Sequence, residues 1–176
     1  MDRQECLSHP LYVVNLKSLR SFLAERELTI TKRNLPHWWL EGSVYFVTFR
    51  VAGELLKASE RSMVLKHIRQ GDGSFYTLIA CVIMPDHVHV IFMADLGYSL
   101  SRIMKGMKGA SSRIINIARH SRGSVWQDES FDRIIRNEKE LFGKLSYMSN
   151  NPLKAGLIKG ALRYRWWYCS KKYFQY

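Results

Sequence analysis

The stretch FYTLIACVIMPDHVHVIFM, Phe75 to Met93, decides the fold. Its first ten residues and its last six are dense in β-branched, aromatic and other apolar side chains, a composition that fits a pleated and largely buried surface. Between them Pro85 and Asp86 form a turn pair, since proline has no N–H to give to a ladder and aspartate favours tight turns. Two strands joined as a hairpin at the centre of a sheet are expected.

Upstream, VYFVTFRV from Val44 to Val51 reads as a third strand, preceded by a turn at Glu41-Gly42-Ser43. Leu55 to Arg69 carries apolar residues at helical spacing in its second half, and Gly71-Asp72-Gly73 ends it. Downstream, Leu100, Ile103, Met104, Met107, Ile114, Ile115 and Ala118 keep helical spacing. A last helix starts at the Asn-x-x-Glu capping signal of Asn137 and runs to Pro152. The order strand, helix, strand, strand, helix, helix predicts an α+β fold: a ferredoxin-like antiparallel sheet with helices packed on one face.

The 176 residues suit one domain that buries its own core. We read residues 1–33 as an N-terminal extension packed on the domain, 34–170 as the domain, and 171–176 as a basic and aromatic tail. Leu16 to Glu27 is a candidate helix within the extension. With 47% hydrophobic residues the disordered class is excluded. Cys6, Cys81 and Cys169 are an odd number without CxxC spacing, so neither a disulfide framework nor a thiolate zinc site is suggested, and Cys81 reads as core. No segment reaches the roughly 18 to 20 apolar residues of a membrane span, and the start lacks a secretory signal. A cytoplasmic protein is expected.

A net charge of +12 points to a polyanionic partner, with nucleic acid first. No acidic residue lies between Asp95 and Asp128, whereas Arg102, Lys105, Lys108, Arg113, Arg119 and Arg122 are positive. This strip reads either as a phosphate-binding surface or as an ordinary solvated helix face. Gly106 and Gly109, each costing about 1 kcal/mol in a helix interior, mark a bend at DNA or a break between two helices. From Arg163 to Tyr176 cations, Lys171 and Lys172 among them, interleave with aromatics that can stack on unpaired bases. One of Trp166 and Trp167 should be core.

His87 and His89 stand at i and i+2 on a strand, so both imidazoles project to one side while Val88 points to the other. They read as two preset metal ligands or as two histidines at a strand mouth without a metal. Tyr147 alone would be an amphipathic surface tyrosine; with Asn151 one turn later it forms a pair on one helix face, apart from the Leu141, Leu145 and Met148 stripe. Gly143, one turn before Tyr147, allows either a close approach of DNA or close packing of helix on sheet.

The blocks PDHVHV, WQDESFDRIIRNEKEL (Trp126 to Leu141) and YMSNNPLKAGLI (Tyr147 to Ile158), in this order, resemble the single-tyrosine HUH transposases of the REP-associated type. The likeness runs from about Pro36 to Ser170. It implies metal-binding histidines at His87 and His89, a nucleophile at Tyr147 and a third ligand at Asn151, where some relatives carry glutamine. It further implies a single-stranded hairpin DNA partner, a divalent metal (Mg²⁺ or Mn²⁺), and a 5′-phosphotyrosine intermediate whose retained bond energy allows strands to be rejoined. An HxH pair also suits Zn²⁺, Ni²⁺ or Cu²⁺. DNA contacts are expected from Arg102, Lys105, Lys108, Arg113, Arg119, Lys171 and Lys172, on a nucleoid-associated monomer rather than a homodimer. The alternatives are a catalytically silent hairpin-binding protein on the same fold and a metallohydrolase in which Tyr147 is incidental.

Overall fold

The computed structural model describes residues 42–159 and 164–171 in full, with the backbones of Val13–Val14, Thr29–Lys32, Pro36–Trp39 and Phe174–Gln175. These four short segments are β1, β2, β3 and β9; β1 pairs with β9 and β2 with β3, each antiparallel. The candidate helix at Leu16 to Glu27 lies outside the described residues.

The main sheet has five antiparallel strands: β4 (Val44–Val51), β5 (Tyr76–Ile83), β6 (His87–Ala94), β7 (Trp126–Ile134) and β8 (Trp167–Cys169). Their order across the sheet is β7-β4-β6-β5-β8. Helix α1 (Ala58–Gln70) joins β4 to β5, α2 (Leu100–Arg119) joins β6 to β7, and α3 (Glu138–Lys154) follows β7. The first four strands with α1 and α2 give the ferredoxin-like βαββαβ order. The hairpin over Phe75 to Met93 is at the centre as expected, with His87–Ala94 flanked by β4 and β5.

Alternation along the strands separates two cores. Tyr45, Val47, Phe49, Val88, Val90 and Phe92 point to one face, against Val64 and Ile68 of α1 and Ile103, Met107 and Ile115 of α2. Phe46, Val82 and Ile91 point to the other, against Leu141, Leu145 and Met148 of α3. The α+β class with an antiparallel sheet is therefore as read, while the placement of every helix on one face needs correction: α3 lies on the opposite face from α1 and α2. A register shift between Leu78 and Ala80 helps fill the second core, since Ile79 and Ala80 both face α3.

Strand β7 is absent from the sequence reading because WQDESFDRI shows no apolar alternation. It is an edge strand, held at one end by Trp126, whose indole N–H donates to Ser111 Oγ at 2.9 Å and whose ring meets Phe49 edge-on. Helix α2 is continuous through Gly106 and Gly109, so neither glycine marks a break between two helices, and a Cβ at either would meet nothing within 4 Å. Asn137 caps α3 as predicted, accepting from the Glu140 N–H at 2.9 Å. The helix continues through Pro152 to Lys154, which leaves Asn151 inside its last turn.

Glu60 ties α1 to the end of α2. Its carboxylate, in a residue only 2% exposed, accepts from the Lys57 backbone N–H and from two nitrogens of Arg119, all at 2.7 Å. Arg119 also donates to the carbonyl oxygens of Glu54 and Leu55. Its guanidinium holds the fold together and is not free for phosphate, which corrects the DNA-contact assignment for this residue.

Candidate metal and tyrosine site

The α3 face of β6 carries the two histidines. Their Nε2 atoms lie 3.1 Å apart, and both residues are buried, at 8% and 4% exposure. Each Nδ1 has its own partner: Asp86 Oδ1 at 2.7 Å from His87 and Thr48 Oγ1 at 2.7 Å from His89. Thr48 sits directly opposite His89 in the β4–β6 register. These partners decide what the rings can do.

A carboxylate can only accept, so Asp86 requires the proton of neutral His87 on Nδ1 and leaves the Nε2 lone pair turned to His89. A threonine hydroxyl works in both directions. When it donates to His89 Nδ1, the ring carries its proton on Nε2 and donates to His87. When it accepts from Nδ1, both Nε2 lone pairs converge, an arrangement that requires a cation. Two imidazole nitrogens sharing a cation at about 2.0–2.1 Å lie roughly 3 to 3.4 Å apart, so the observed spacing fits. Burial, then the neighbouring His87, push the His89 pKa down to about 3, which keeps its ring neutral and fit to ligate.

Helix α3 supplies the rest. Leu141, Leu145 and Met148 are buried on the sheet, and this seating turns the next face of the helix to the histidines. The Asn151 amide nitrogen lies 3.2 Å from His87 Nε2. Rotating the amide by half a turn would bring its oxygen to the same place, giving two imidazoles and one carbonyl-type oxygen. Among the described residues there is no cluster of three or more His, Cys, Asp or Glu that could hold a metal. The carboxylate-rich pattern of a metallohydrolase is thus missing from them.

Tyr147 is 44% exposed, and its ring centroid is 5.2 Å from that of His89. Phe46 packs beside both, stacked on His89 at 5.3 Å and edge-on to Tyr147 at 6.4 Å. Lys144 Nζ lies 4.5 Å from the Phe46 ring centroid. Gly143 is exposed, and a Cβ there would meet nothing within 4 Å, so close packing on the sheet does not explain it. The structure therefore brings together His87, His89, Asn151 and Tyr147. Thr48, Asp86, Phe46 and Lys144 join them and were not foreseen. Thr48 and Phe46 belong to a strand 41 or more residues away, and only the β4–β6 register reveals them. The acid beside His87 was visible in the motif itself.

The expected DNA contacts lie elsewhere. Helix α2 is across the sheet from the histidines. On it Arg102, Lys105 and Arg113 are exposed, with the Arg102 guanidinium over the Tyr98 ring at 5.1 Å. Lys108 donates to the Asp128 carbonyl on β7 at 2.7 Å. Lys171 is exposed and Lys172 lies outside the described residues. Trp166 and Trp167 are both half-buried. Cys81 is fully buried in the core.

Fold and site together define a ferredoxin-like domain with a paired-histidine strand and a tyrosine helix packed over it. Residues 53–140 match the transposase family described as IS200-like, and the chain belongs to that family. The match includes His87 and His89 and stops before Tyr147. The chain is similar to a Haemophilus influenzae protein assigned to the REP-associated tyrosine transposases, with 20% identity over 137 residues that cover 68% of this chain and 75% of that one. It is similar in fold to the structure of a REP-associated tyrosine transposase bound to a REP hairpin. There the TM-score is 0.62 and the identity 18%, over 78% of this chain and 81% of the other.

Proposed function

We propose that this chain is a metal-dependent tyrosine transposase of the REP-associated type, which cuts and rejoins single-stranded DNA beside a hairpin. The observation that carries the reading is the convergence of an exposed phenol, two imidazoles and a helix-end amide on one patch of the sheet. A divalent cation, Mg²⁺ or Mn²⁺, held by His87, His89 and Asn151, would supply Lewis-acid polarisation of the scissile phosphate.

The chain's own groups do the remainder. Tyr147 Oη loses its proton and attacks phosphorus; the bond from phosphorus to the 3′ oxygen breaks, and that oxygen leaves as a 3′-OH after taking up a proton. The product is a 5′-phosphotyrosine, and attack by a 3′-OH restores the strand without an outside energy source. Lys144, on the same helix face as the phenol, adds positive charge where the phosphate must sit. Phe46 fixes both the His89 ring and the Tyr147 ring, so the nucleophile is oriented before substrate arrives. No helix among the described residues is long and apolar enough to cross a membrane.

The test is covalent capture. Incubation with labelled hairpin DNA carrying a single-stranded flank, in the presence of Mn²⁺, should give a protease-sensitive adduct that Tyr147→Phe abolishes. Binding without any adduct, across metals and flank sequences, would instead make the chain a silent hairpin binder.

A further inference from the structure

On the face of the sheet opposite Tyr147, a groove of about 400 Å³ runs between α1 and the turn that leads into β8. Ser62, Leu65, Lys66 and Arg69 of α1 form one wall, and Arg165 with Trp166 form the other. Three of these six are cations, and among the described residues none of the three makes an ion pair with a carboxylate. No acidic residue lines the groove.

The indole is fixed before any ligand arrives. Its N–H donates to Ser62 Oγ at 2.9 Å, and the Arg61 guanidinium stacks over the ring at 3.6 Å. Arg61 is held in turn by the Tyr164 hydroxyl at 2.8 Å, and its buried Nε has no partner. Arg69 lies over the Tyr168 ring at 4.8 Å and Arg165 over the Trp166 ring at 5.9 Å, so both guanidiniums rest on aromatic faces and not on carboxylates. A half-buried, immobilised aromatic ring rimmed by such cations is the arrangement that binds unpaired bases by stacking and their phosphates by charge.

Backbone and side-chain bonds tie the groove wall to the end of β5. The Trp166 carbonyl accepts from the Ile83 N–H at 3.0 Å, and the Tyr164 hydroxyl donates to the Ile83 carbonyl at 2.9 Å. Next to Ile83, the Met84 N–H donates to the His87 carbonyl at 2.8 Å. The groove wall is thus bonded to the turn that carries the first histidine.

We propose that this groove binds single-stranded DNA, with one unpaired base against Trp166 and neighbouring phosphates on Lys66, Arg69 and Arg165. The choice of occupant rests on the proposed transposase function. The test keeps the two apart by measuring binding in EDTA on the Tyr147→Phe chain, where no cleavage can occur, with a fluorescent oligo-dT of about a dozen residues. Lys66→Ser/Arg69→Ser/Arg165→Ser should weaken binding at least tenfold and lower the slope of log K against log salt by about 2, at roughly 0.7 per single-strand phosphate. Trp166→Leu should weaken binding by a similar factor with little change in slope. The three cations are exposed, so the triple variant should fold, and photo-crosslinking of the parent chain should label peptide 164–171.

Unchanged affinity and slope in the triple variant, or crosslinks confined to α2, would overturn the groove assignment even if covalent capture succeeds. Preference for an RNA oligomer through the same residues would overturn the choice of DNA. Groove-dependent binding without adduct formation would leave this inference standing and remove the cleavage reading.

Discussion

Asn151 in the last turn of α3 lies with its amide nitrogen 3.2 Å from Nε2 of His87, a residue 64 positions earlier in the chain. One contact thereby joins the helix of the phenol to the strand of the imidazoles. The helix is held there by its apolar stripe, since Leu145 and Met148 are fully buried between sheet and helix. Truncating Leu145 to Ala should cost about 2–5 kcal/mol of stability, read by urea unfolding, and loosen the amide from the ring. A variant that folds but keeps full activity would show that the seating of α3 is not what positions Tyr147.

Thr48 should control metal affinity without touching the metal. Its hydroxyl can accept from His89 Nδ1, the tautomer needed for ligation, and valine cannot. We expect Thr48→Val to weaken Mn²⁺ binding about 10–100-fold by titration calorimetry. Thr48→Ser should restore most of it. Equal loss in both variants would mean that the methyl packing, and not the hydroxyl, matters.

Acid should destabilise the metal-free chain in a defined window. His89 ionises at about 3 in the fold against 6.5 ordinarily, so between these values the unfolded chain binds more protons than the native one. Stability therefore falls as pH drops from about 6.5 toward 3. Thermal melts in EDTA should show this fall, and His89→Gln should reduce it. Melting temperatures independent of pH between 7 and 5 in the parent chain would contradict the burial of a neutral ring.

Arg119 and the outer α2 cations should separate cleanly. Arg119→Ala leaves the buried Glu60 carboxylate unpaired and should cost about 3–5 kcal/mol in urea unfolding. Arg102→Ser/Lys105→Ser should leave stability within about 0.5 kcal/mol, because both side chains are exposed. Glu60 has its pKa lowered chiefly by the Arg119 hydrogen bonds, so this pair contributes above about pH 4.5 and fades as pH falls through the depressed value. A stable Arg119→Ala chain would return that residue to the DNA surface.

That His87 and His89 share one side of a strand was legible because strand alternation has a period of two, and that Tyr147 and Asn151 share a helix face because they stand one turn apart. Those are local rules, and they survive folding. The roles expected of these residues came from the resemblance to the transposases. The side of the sheet on which α3 packs is a long-range outcome, decided by which alternate strand residues find a partner, and spacing within α3 does not contain it. Edge strand β7 escaped because an edge needs little apolar alternation. Arg119 looked like its neighbours on a basic helix, and only the folded position of Glu60, 59 residues away, takes it out of the DNA-facing set.

The most direct measurement is peptide mapping by mass spectrometry of the covalent species formed with hairpin DNA and Mn²⁺. The predicted result is a nucleotide attached through a 5′-phosphate to Tyr147 and lost in His87→Ala. Attachment to any other residue, or strand cutting that persists in Tyr147→Phe, would contradict the assignment of the phenol on α3 as nucleophile.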